Sequence, residues 1–69
     1  INPIERSVLL VAVHELKAMP ETPYPVIINE AIEVTKTFGG TDSHKFINGI
    51  LDKLVAQLRP NDPKRRDAA

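Results

Sequence analysis

Proline and glycine cut this chain into three pieces, and no other feature of the sequence restricts its folding so tightly. Met19 to Pro25 carries three prolines, Gly39-Gly40 makes a second break, and Pro60 and Pro63 make a third. The spacing predicts a first helix over about 4–17, whose interior has no glycine or proline to stop it. A second is expected over about 25–38, with Pro25 suiting a first turn and Gly39 standing as a left-handed C-cap. A third is expected over about 42–59, opened by Thr41, Asp42 or Ser43, any of which can cap free amides, and closed before Pro60. The fold class is therefore all-α, with a folded unit over 1–59 and a disordered, charged tail over 60–69.

Successive residues set 100° apart reveal which faces must be covered. In the second segment Ile27, Ala31, Val34 and Phe38 fall beside Ile28, Ile32 and Thr35, opposite Asn29, Glu30, Glu33 and Lys36. In the third, Ile47, Ile50, Leu51, Leu54, Val55 and Leu58 share one stripe. Both are ordinary amphipathic helices. The first is different, because the run Val8 to Val13 goes completely round the wheel, and a helix apolar on all sides has to be buried on all sides. Two partner helices cannot do that. Leu10 and Val11 are expected to pack against something outside these 69 residues, and with that face bare the chain is expected to self-associate or take a partner. The chain also starts at Ile1 without an initiator methionine, which fits a piece of a longer protein.

Composition removes several function classes. Sixty-nine residues allow one small domain, and a chain without cysteine has neither a disulfide framework nor a thiolate zinc site. Nine basic and nine acidic side chains cancel, so net charge neither advertises nor forbids a nucleic-acid partner. The longest uninterrupted apolar run, Val8 to Val13, falls far short of the roughly 20 residues that cross a bilayer, so no membrane association is expected. His14-Glu15-Leu16-Lys17-Ala18 begins like the zinc-protease H-E-x-x-H but ends on alanine, and the second ligand does not exist. No nucleophile elbow and no phosphate loop is present, and Glu30 and Glu33 lie on a solvent face with nothing to raise a carboxyl pKa. No catalytic residue, metal or cofactor is expected.

The informative stretch is Thr41 to Gly49. Phe46 lies about 40° outside the apolar stripe of its helix, in line with Asp42, Gly49, Lys53 and Gln57. A half-available ring beside lysines and a helix N-terminus is a surface on which a single-stranded base can stack while Lys45 or Lys53 meets phosphate. The plainer reading is that Phe46 closes the core against the second helix. Gly49 costs its helix about 1 kcal/mol relative to alanine, so a close approach by a neighbouring helix or a ligand is expected to offset it. Asn48 is expected to hydrogen-bond across a helix contact, and Lys64-Arg65-Arg66 to be a solvated cluster.

These residues resemble the C-terminal half of the NusB family of bacterial transcription antitermination factors. The resemblance is carried by Ile4-Glu5-Arg6 with Leu10 and His14-Glu15-Leu16, by Pro23-Tyr24-Pro25, and by Ile28-Asn29-Glu30-Ala31-Ile32-Glu33 with Lys36 and Phe38-Gly39. Its most specific block is Asp42-Ser43-His44-Lys45-Phe46-x-Asn48-Gly49-x-Leu51-Asp52-Lys53. Together the blocks cover about residues 2–60. The resemblance implies a cytoplasmic, non-enzymatic protein of two packed helical subdomains, of which this chain is the C-terminal one. It further implies pairing with the ribosomal protein NusE, binding of boxA single-stranded RNA, and work within the RNA polymerase antitermination complex. The family's arginine-rich N-terminal segment has no counterpart in these residues. Carried over position by position, Asp42, Lys45 and Phe46, with Lys53 beside them, fall on the RNA-facing side and Glu5 on the NusE-facing side. Two alternatives remain: the similar RNA-binding domain of 5-methylcytosine ribosomal RNA methyltransferases, and a helical module that binds only protein.

Overall fold

The computed structural model describes residues 1–38 and 42–62, and within them the chain forms three helices: α1 Pro3–Ala18, α2 Tyr24–Phe38 and α3 Ser43–Leu58. Each bound lies within one residue of the sequence expectation. The expected Gly39 cap, Thr41, the Lys64-Arg65-Arg66 cluster and the tail beyond Asp62 lie outside the described residues.

The local signals explain the boundaries. Asn2 caps α1: its side chain accepts from the Glu5 N–H at 2.8 Å, and the Glu5 carboxylate accepts from the Asn2 N–H at 3.0 Å. This reciprocal pair satisfies two of the amides that a helix start leaves free, and Pro3 stands at the first turn, where no N–H is missed. Helix α2 begins where the Val26 and Ile27 amides donate to the Pro23 carbonyl, at 3.1 and 3.4 Å. Asp42 occupies the N-cap position of α3, yet its side chain makes no cap hydrogen bond.

Each helix packs on both others. The core is built from Val8, Ala12 and Leu16 of α1, Tyr24, Ile27, Ile28 and Ala31 of α2, and Ile47, Leu51 and Val55 of α3. Thr35 is fully buried among them, and its hydroxyl donates to the Ala31 carbonyl at 2.7 Å, so no polar group is stranded there. Two residues of the expected α2 stripe do not join the core: Val34 is 45% exposed and Phe38 66%. The buried arc of α2 runs through Tyr24, Ile28, Ala31 and Thr35, which leaves Val34 at its margin, and Phe38 is the last residue of the helix. On α1, Leu10 and Val11 are 62% and 59% exposed, so the two neighbouring helices do leave that side bare.

The most consequential packing feature is Arg59, which is buried. Its guanidinium donates from Nε to the Leu16 carbonyl at 3.1 Å, from Nη2 to the Met19 carbonyl at 2.8 Å, and from Nη1 to the Thr22 carbonyl. One side chain thus serves the Leu16 carbonyl, which the end of α1 leaves without an intrahelical donor, and two carbonyls of the loop to α2. Residues 59–62 form a turn in which the Asp62 amide donates to the Arg59 carbonyl at 3.2 Å and the Asp62 carboxylate lies 3.7 Å from Nη1. The chain past α3 is therefore fastened back onto α1 as far as Asp62.

Candidate nucleic-acid interface

The inward stripe of α3 fixes what its outward side presents. With Ile47, Leu51 and Val55 in the core, the helical repeat turns Asp42, Lys45, Phe46, Gly49 and Lys53 outward together. Phe46 is 44% exposed, Gly49 sits one turn after it, and Lys53 one turn further. Asp42 and Lys45 approach to 3.8 Å with side chains 86% and 76% exposed, a solvated pair worth little to stability and free to exchange for another partner. Lys53 is exposed and has no ion-pair partner among the described residues. His44 lies half-buried in the first turn, and its buried Nδ1 has no hydrogen-bond partner among the described residues.

Two sequence expectations on this helix need correction. Asn48 does not reach across a helix contact, because its Nδ2 donates to Asp52 Oδ2 at 3.2 Å, one turn along the same helix. No neighbouring helix among the described residues approaches Gly49 either, since a Cβ built there meets nothing within 4 Å.

Glu5 lies apart from this face, in the first turn of α1, where the capping box gives its carboxylate a local task. It is half-buried and still offers charge at the surface.

A second surface was only half legible in the sequence. Between α1 and α2 runs an open groove of about 250 Å³, lined by Val11, Ala12, Ala31 and Val34 with Glu15 and Glu30 beside them. The exposed side of α1 was expected; the contribution of Val34 was not, because the helical wheel assigned it to the core. Among the described residues there is no group of three or more histidine, cysteine, aspartate or glutamate side chains placed to hold a metal. No helix among them is long and apolar enough to cross a membrane.

Comparison with known proteins adds a family and relatives to this geometry. Residues 1–56 match the model of the NusB family. The chain is 83% identical over 66 residues to the transcription antitermination protein NusB of Neisseria meningitidis, covering 96% of this chain and 47% of that protein. It is 68% identical over 62 residues to the protein of the same name from Chromobacterium violaceum, covering 90% of this chain and 42% of the relative. With the Burkholderia vietnamiensis protein it shares 59% identity over 66 residues, 96% of this chain and 46% of the relative. The chain spans about half the length of these curated relatives. No solved structure matches it.

Proposed function

This chain belongs to the NusB family, and from that premise we propose that it is the C-terminal half of an RNA-binding transcription antitermination factor. The whole protein pairs with NusE, binds boxA single-stranded RNA and acts in the antitermination complex of a bacterial RNA polymerase in the cytoplasm. No bond is made or broken; the work is recognition. The observation that carries the reading is the outward side of α3, where a half-exposed ring stands between Lys45 and Lys53 in the block most specific to the family. A base stacks on Phe46, the two lysines meet phosphate, and Asp42 releases Lys45 or accepts a hydrogen bond from the strand. Glu5 supplies a charge for NusE. The bare side of α1, with the groove beside it, receives the portion of the protein that this chain does not span. The relatives being about twice as long supports that assignment.

The test joins this chain to the missing portion of the Neisseria meningitidis relative and titrates the product with boxA-type RNA, with and without NusE, at several salt concentrations. Tight and sequence-selective binding, strengthened by NusE and weakened by salt, is the expected result. No RNA response in either condition overturns the reading and leaves a helical module that binds only protein.

A further inference from the structure

Among the described residues, nothing packs against the glycine in the middle of α3. Gly49 lies in ordinary right-handed helix, where glycine is costly and alanine is preferred. No left-handed backbone requires it, and a Cβ at that position would meet nothing within 4 Å. A residue that weakens its helix and relieves no clash among the described residues leaves room for something that comes from outside. We propose that Gly49 is where a single-stranded RNA backbone crosses α3, kept bare so that the strand lies directly against the helix between Phe46 and Lys53.

The surroundings favour a nucleic-acid strand over a packed protein helix. A helix seated on a glycine needs apolar flanks, whereas the exposed residues within one turn of Gly49 are Lys45, Asp52 and Lys53, with one half-exposed aromatic ring. Phe46 stands three residues before the glycine and Lys53 four after, the two spacings that put side chains on one line of a helix. Ring, bare backbone and ammonium therefore follow one another over about 10 Å of helix axis, at 1.5 Å per residue. A base can stack at the first, the sugar-phosphate chain can pass over the second, and a phosphate can meet the third. A side chain at position 49 would stand in that path.

This inference rests on the reading of α3 as the RNA face, and the experiment separates the two. Gly49→Ala and Phe46→Ala are each introduced into the joined protein described above; thermal unfolding and binding of boxA-type single-stranded RNA are measured at fixed salt. For Gly49→Ala the expected result is an unchanged or raised Tm together with RNA binding weakened about fivefold or more, the lower end of what one stacked base is worth. An opposite movement of stability and affinity is what a merely structural glycine would not give. A lowered Tm would mean that the glycine serves the fold, and overturns the proposal. So does RNA affinity within twofold of the parent when Phe46→Ala still weakens binding; in that case α3 remains the RNA face. If neither substitution changes RNA affinity, the reading of the face fails as well. Loss of NusE affinity alone in Gly49→Ala would make position 49 a protein contact and equally overturn the proposal.

Discussion

Replacing Arg59 by alanine should cost this chain a large share of its stability. The guanidinium donates to three backbone carbonyls, those of Leu16, Met19 and Thr22, and lies 3.7 Å from the Asp62 carboxylate while itself buried. Each hydrogen bond from a charged donor is worth about 1.5–3 kcal/mol, but the three share one side chain and two of them are only partly buried, so water replaces part of the loss. A net cost of about 2–4 kcal/mol follows. At 0.05–0.15 kcal/mol per residue, a domain of this size has only about 3–10 kcal/mol in total. The assay is urea and thermal unfolding followed by helical circular dichroism. At about 4–8 °C per kcal/mol for a small domain, Tm should drop by at least about 8 °C. Arg59→Lys retains the charge but offers a single point of donation in place of a planar fork, and should recover only a minor part of the loss. If Arg59→Ala stays within about 0.5 kcal/mol of the parent, the usual range for surface changes, the latch contributes nothing and the reasoning is refuted.

The other expectations concern surfaces. Phe46→Ala should weaken boxA RNA binding of the joined protein by about 1–3 kcal/mol. Because the ring is 44% exposed, its stability cost should stay below the 3–5 kcal/mol of a fully buried phenylalanine; unaltered affinity after correction for folded fraction would make Phe46 a core residue only. Glu5→Gln keeps an acceptor for the Asn2 amide and should leave α1 intact while weakening NusE binding, whereas Glu5→Lys should also cost about 1 kcal/mol of stability. Calorimetry that finds equal NusE affinity for Glu5→Gln and parent removes that charge from the interface. Leu10→Lys with Val11→Lys should abolish self-association of the 69-residue chain in sedimentation without loss of helix content, and persistence of the larger species would exonerate that side of α1.

What the sequence revealed and what it hid divide along physical lines. Helix ends were legible because proline and glycine act locally, and the core positions Ile47, Leu51 and Val55 because burial imposes a fixed angular repeat. The bare side of α1 was legible for the same reason: apolar residues at every angle cannot all find cover in a three-helix unit. Arg59 was hidden because its partners Leu16, Met19 and Thr22 lie about forty residues away, and no periodicity encodes a long-range hydrogen bond. Val34 and Phe38 were misassigned because a helical wheel gives direction but not whether a neighbour is present in that direction. The capping box at Asn2 and Glu5 was written in the sequence as an N-x-x-E spacing before an apolar run, and the expected start at residue 4 passed over it.

On the proposed reading, stability and recognition are carried by different sides of the same helices, and this bears on how the chain should be compared with its longer relatives. Phe46, Gly49 and Lys53 face away from the core, so α3 holds them at fixed spacing, with Asp42 at its N-cap, and the proposed RNA face needs little further ordering. That rigidity depends on contacts elsewhere: α3 is anchored by its apolar stripe and, just past its C-terminus, by Arg59 to the end of α1. Helix α1 in turn leaves apolar surface uncovered at Leu10 and Val11. Covering Leu10 and Val11, each about three-fifths exposed, stabilises by about 2–4 kcal/mol in all, comparable with the lower end of what the three-helix unit has by itself. Covering α1 is therefore expected to firm the C-terminal end of α3, which Arg59 ties to the end of α1.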